Sequence, residues 1–165
     1  MSDNVIIRNI EKLDSSVIAE LNSAAVPNVN LLEEPALYSL VESAAYARVA
    51  DIEGDVVGLM VAFGPGSSYQ SLNYRWFDDR YGDFLYVDRI VVSEAARGRG
   101  IGKKLYDDLS AFAEGRSSCL ACEVNERPPN PGSMRFHERL GFRIVGRQET
   151  DGGSKSVALM LKTFS

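Results

Sequence analysis

The sequence predicts an α/β (α+β) fold, a central sheet flanked by helices, and three observations carry that reading. Short runs rich in β-branched and aromatic residues alternate with segments whose apolar residues recur three and four positions apart. Residues 84–115 read as strand, glycine-rich turn and amphipathic helix in one unbroken stretch. Two strand-like runs, 46–52 and 56–63, are joined by Glu53-Gly54-Asp55, a tight turn of hairpin type. At 165 residues the chain is expected to form one domain spanning 1–165, long enough to bury a core.

In chain order, residues 5–8 form a short first strand. Leu13, Asp14, Ser15 and Ser16 offer an apolar residue and several capping candidates. Val17, Ile18, Leu21 and Ala25 then recur at helical spacing until Pro27 ends the helix, and residues 26–34 read as a loop. Pro35 suits the first turn of a second helix, striped by Leu37, Leu40, Val41 and Ala44. In the hairpin that follows, Gly58 marks a bulge or a close approach. Residues 64–83 lack periodicity and read as a long loop holding Tyr69, Tyr74, Trp76, Phe77 and Tyr81 with Asp78, Asp79 and Asp83. That composition suits a pocket for a cationic or amphipathic substrate, or equally a loop that packs its own aromatics.

The strand at 84–92 is followed by a helix whose Ile101, Leu105, Leu109 and Phe112 share one face, with Gly115 as its stop. Residues 119–125 form the next strand, broken by Glu126-Arg127-Pro128-Pro129. Asn130 is a good N-cap, with Pro131 at the first helical position. Ser133, Phe136, His137 and Leu140 fall on one face of that helix, and Gly141 ends it. Strands at 142–147 and 157–161 close the chain around the turn Asp151-Gly152-Gly153.

Charge and cysteine usage narrow the function classes. A net charge of −5 and a pI near 5.0 argue against broad nucleic-acid binding, which needs basic surface. No apolar run approaches the ~18 residues of a membrane span, so no membrane partner is expected. The N-terminus does not read as a signal peptide, which makes a cytoplasmic location the expectation. Cys119 and Cys122 are three apart within a strand, which sends their side chains to opposite faces; they read as buried apolar cysteines rather than a redox or zinc pair. With one histidine in the chain, no metal is expected.

The turn between strand and helix has the physics of an anion site. A helix N-terminus leaves backbone N–H groups unpaired and carries partial positive charge. Glycines let a phosphate approach the backbone closely. Arg97, Arg99, Lys103 and Lys104 gather four cations within eight residues of an acidic chain. The dinucleotide fingerprint fails because Lys103 stands where its last glycine belongs, and the Walker A pattern fails at Arg97 and Lys104.

What fits is Arg97-x-x-Gly100-x-Gly102 after a strand ending in Ile90-x-Val92, and this resembles the acyl-coenzyme A site of the GNAT superfamily of N-acetyltransferases. Asn130-x-x-Ser133-x-x-Phe136-His137-x-x-x-Gly141-Phe142 is similar to that family's second motif, and the hairpin at Glu53-Gly54-Asp55 is similar to its second and third strands. The order of strands and helices matches over nearly the whole chain. The resemblance implies a mixed, mostly antiparallel sheet and direct transfer of an acetyl group from acetyl-CoA to a primary amine of a small molecule or peptide. It implies coenzyme A held by Ile90, Val91 and Val92 on the strand, by Arg97, Gly98, Arg99, Gly100, Ile101, Gly102 and Lys103 at the turn, and by Asn130. His137 stands where the family often has a tyrosine that protonates the leaving thiolate. Asp88 and Glu123 are the candidates to take the proton of the amine. A coenzyme A-binding module without turnover is the alternative, and a homodimer would be compatible with either.

Overall fold

The computed structural model describes residues 4–164. Its strands are β1 (Val5–Asn9), β2 (Tyr46–Ile52), β3 (Asp55–Phe63), β4 (Leu85–Val92), β5 (Cys119–Arg127), β6 (Arg143–Thr150) and β7 (Lys155–Thr163). Its helices are α1 (Ser15–Ala24), α2 (Glu34–Ser43), α3 (Leu72–Asp78), α4 (Ile101–Ala113) and α5 (Pro131–Arg139). The strands form one mixed sheet of order β1-β2-β3-β4-β5-β7-β6. The β4–β5 pair is parallel, matching Leu85 with Leu120 and Tyr86 with Ala121, while β1–β2, β2–β3, β5–β7 and β6–β7 are antiparallel.

The chain divides into two compact units, one running to Ala62 and including Arg89–Phe112, the other comprising Phe63–Asp88 and the chain from Ala113. In the first, α4 buries Ile101, Leu105 and Leu109 of the stripe expected of it, while Phe112 is half-buried. Gly58 serves both purposes its position suggested. The β2–β3 register slips between Ala50 and Asp51, where the ladder passes from Ala50↔Gly58 to Asp51↔Val56. A side chain at Gly58 would also meet Ile101 Cγ2 at 3.2 Å and Leu105 Cδ1 at 3.3 Å, so the glycine lets α4 lie close against β3.

The start of α1 differs from expectation. Leu13 is 92% exposed, so it staples nothing. Asp14, the N-cap, makes no side-chain cap. Its carboxylate instead accepts from Arg8 at 2.9 and 3.0 Å and from the Glu11 backbone N–H at 2.8 Å, and the guanidinium holds it below the usual carboxylate range. A neighbouring cation outcompetes the local cap for the same oxygens.

In the second unit, residues 64–83 are not a structureless loop: they contain α3. Ser71 caps it, its hydroxyl accepting from the Tyr74 N–H at 3.2 Å. Tyr74 and Phe77 are fully buried and join Phe63, Phe84 and Tyr86 in one aromatic cluster with centroid separations of 5.6–6.4 Å. Trp76 covers Gly146 of β6, where a Cβ would lie 2.5 Å from its ring, and Gln148 donates to Asn73 at 2.9 Å. A single short helix gives too few repeats to read as a period, and its aromatics look alike in loop or helix. Boundaries also shift in β5, which runs to Arg127, and in β6 and β7, which are longer than their apolar stretches because exposed polar residues continue the ladder.

Candidate active site

The end of β4 from Arg89, the turn after it and α4 as far as Phe112 lie within the first unit. Ser93 leaves the strand with its N–H donated to the Val57 carbonyl at 2.8 Å. A single 3₁₀ turn, Glu94–Ala96, buries Ala96 and then releases the chain. Gly98 and Gly100 adopt φ of +82° and +75°, which a side chain would strain. A Cβ on either would meet nothing within 4 Å, so their conformation rather than crowding requires glycine, and the surface over them is open. Gly102 lies inside α4, whose first turn carries no acidic residue. Arg97, Arg99, Lys103 and Lys104 are all exposed. Lys103 also reaches Asp107 one turn on at 2.9 Å, an exposed pair of the kind that contributes little.

Val91 and Ile101 are 5% and 2% exposed, whereas Ile90 and Val92 are half-buried. Together these groups present N–H donors of a helix N-terminus, glycine backbone and cations on one segment. That is the chemistry of a diphosphate cradle.

The remaining candidates, Asp88, Glu123, Asn130 and His137, lie in the second unit. Asn130 and His137 are linked through one turn of α5. Asn130 Oδ1 accepts from the Ser133 N–H at 3.4 Å, the capping role expected of it. His137 Nδ1 lies 2.8 Å from the Ser133 carbonyl and 3.2 Å from its hydroxyl. A carbonyl can only accept, so Nδ1 carries a hydrogen. The ring is 3% exposed and meets Phe136 and Phe142 edge-on at 5.2 and 5.4 Å. Burial pushes its pKa down, and the bond to Ser133 only partly opposes this. The neutral ring thus commits its one N–H to the backbone, and a second proton is disfavoured.

That depression has a measurable consequence for stability. Above the unfolded pKa, about 6.5, His137 is neutral in both states and contributes no pH dependence. As pH falls below that value the unfolded chain takes up the proton first, so stability is lost until the folded pKa is reached. Urea midpoints measured from pH 7.5 down to 5.5 should fall for the wild type and stay flatter for His137→Phe.

Asp88 and Glu123 stand on the parallel strands β4 and β5, each holding a tyrosine hydroxyl. Tyr69 donates to Asp88 Oδ1 at 2.6 Å, and Tyr86 donates to Glu123 Oε2 at 2.5 Å. Tyr86 is fully buried, and its phenol is pushed well above the ordinary range by burial first, then by the charges of Glu123 and Asp88. It therefore stays a donor at neutral pH. Neither tyrosine is singled out by motif or spacing: Tyr86 reads as strand core, and Tyr69 is one aromatic among five in an irregular segment. Among the described residues, no group of three or more His, Cys, Asp or Glu is arranged to hold a metal ion. Nor is any helix among the described residues long and apolar enough to cross a membrane.

Comparison with known proteins bears on these features. The model of the acetyltransferase (GNAT) family matches residues 15–142. A peptidyl-lysine N-acetyltransferase of Salmonella typhimurium, YjaB, is 32% identical over 75 residues, which are 46% of this chain and 48% of that protein. A spermine/spermidine N(1)-acetyltransferase of Bacillus subtilis is 25% identical over 100 residues, 61% of this chain and 60% of that protein. The chain thus spans about half the length of the curated relatives it matches. Among solved structures, Ard1 of Thermoplasma volcanium superposes with a TM-score of 0.77 at 20% identity, covering 98% of each chain. YncA of Salmonella typhimurium, a putative acetyltransferase solved with acetyl-CoA, gives 0.74 at 20% identity over 98% of this chain and 95% of that one.

Proposed function

We infer the activity from one premise: the chain belongs to the acetyltransferase (GNAT) family. We propose that it transfers an acetyl group from acetyl-CoA to a primary amine of a small molecule or peptide. The observation that carries this reading is the turn at Arg97–Lys104, with two positive-φ glycines under open surface and four exposed cations before and within the first turn of α4. These groups would hold the cofactor's diphosphate, and the backbone of Ile90–Val92 would align its pantetheine arm. Both relatives described above are named for amine acceptors, a protein lysine and a polyamine, which supports an amine here.

The acceptor arrives as an ammonium, and Asp88 takes one proton from it, with Glu123 the second candidate for that role. The freed nitrogen attacks the thioester carbonyl carbon, a C–N bond forms, and the C–S bond breaks. The nitrogen's second proton ends on the departing thiolate, giving an amide and coenzyme A. Orientation of the two reactants supplies much of the rate. His137 would protonate that thiolate only as an imidazolium, and its burial works against this form. Its geometry supports packing more than proton donation, and it is the feature that favours the alternative, a coenzyme A-binding module without turnover.

Thermal unfolding in the presence of acetyl-CoA, coenzyme A, NAD and ATP tests the cofactor. A ligand at 100 times its dissociation constant stabilises by about 2.7 kcal/mol. Stabilisation by the coenzyme A pair alone is expected, followed by thiol release from acetyl-CoA with spermidine or a lysine peptide. Binding without thiol release from a broad amine panel would favour the module. No stabilisation by acetyl-CoA would overturn both readings.

A further inference from the structure

We propose that Tyr69 is a positioning residue for the reaction: it fixes the plane of the Asp88 carboxylate that receives the amine's proton. The inference rests on the assignment of Asp88 as base. Tyr69 is held from three directions before it reaches Asp88. Its ring stacks on Phe63 with centroids 4.3 Å apart and planes 12° from parallel. Its N–H donates to Ser67 Oγ at 3.2 Å. The segment before it is pinned by buried Tyr74, whose hydroxyl donates to the Gly64 carbonyl at 2.5 Å and accepts the Ser67 N–H at 3.0 Å. The Gly66 N–H adds a bond to Asp78 of α3 at 3.0 Å.

Such anchoring gives the phenol a defined direction, and the 2.6 Å bond to Asp88 Oδ1 transmits it. A carboxylate gripped at one oxygen cannot spin freely, so the other oxygen, Oδ2, is presented along a set line. Asp88 is half-buried. The other titratable groups of this unit that act on the same cluster are Tyr86, two residues earlier on β4, and Glu123 on β5; the charges of both carboxylates act on the phenol of Tyr86. α3 thus earns a role beyond packing, since it holds the segment that aims Tyr69.

Tyr69→Phe keeps the stack on Phe63 and removes only the hydroxyl. With the full chain, acetyl-CoA and spermidine, we expect kcat to fall about tenfold while KM for acetyl-CoA stays unchanged. Tyr69→Phe added to Asp88→Asn should cost nothing further, because the phenol acts through the carboxylate. If Asp88→Asn lowers kcat but Tyr69→Phe leaves kcat at the wild-type value, the positioning role is overturned while the base assignment stands. If Asp88→Asn itself keeps the wild-type rate, the base assignment fails and this inference falls with it. A lowered melting temperature of Tyr69→Phe with kcat unmoved would make the residue structural only, which also overturns it.

Discussion

Gly102→Glu is expected to weaken acetyl-CoA binding by at least about a hundredfold while leaving the melting temperature of the ligand-free protein near that of the wild type. Gly102 is inside α4, where glutamate is a better helix former than glycine. A carboxylate near a helix N-terminus is itself mildly favourable to the fold. What it removes is the anion site, by occupying the same N–H groups with a fixed negative charge and by filling the close approach. Gly100→Glu would be a poorer test, because φ of +75° adds backbone strain to the loss of ligand. Isothermal titration of the Gly102→Glu protein with acetyl-CoA decides the matter. Wild-type affinity would move the cofactor away from this turn altogether.

The second large effect is expected from Asp88→Asn, which should lower kcat with an amine acceptor by about 10²–10⁴ and leave acetyl-CoA affinity within a factor of about three. The substitution is nearly isosteric, and the amide oxygen can still accept the Tyr69 hydroxyl, so the fold has no reason to move. Glu123→Gln should have the smaller effect. Its partner Tyr86 is fully buried and keeps its proton, so the amide can retain that bond while only a charge is lost. Asp88 also lies two residues before Ile90 on β4, in the strand assigned to the pantetheine arm. Stopped-flow or steady-state thiol release at pH 7 to 9 separates the two. Should Glu123→Gln lose the rate and Asp88→Asn keep it, the roles exchange.

The most legible parts of this protein are those in which chemistry is local. The anion-site reading of residues 97–103 needs only a strand before it, a helix after it, glycines where the backbone turns left-handed, and cations beside them. All of these lie within one stretch of chain, and α4 begins at Ile101 as its periodicity requires. The hairpin at Glu53–Asp55 and the cap at Asn130 are local in the same sense.

Only the tertiary structure decided the rest, because the deciding partners are far apart in the chain. Glu11, Asp14 and Arg8 show this on a small scale: the aspartate has the right position for a cap but is taken by a cation six residues back. His137 shows it for chemistry. Its spacing permits a proton donor, while the Ser133 carbonyl and the rings of Phe136 and Phe142 commit its N–H and exclude water. The tyrosine partners of Asp88 and Glu123 lie 19 and 37 residues away from them in the chain. A hydrogen bond across that separation leaves no periodic trace in the sequence, since it is set by which strands become neighbours and by how α3 folds the segment that carries Tyr69. The sequence by itself determined the succession of strands, every long helix but α3, the glycine-rich turn and the family resemblance. Which carboxylates keep tyrosine company was decided by packing.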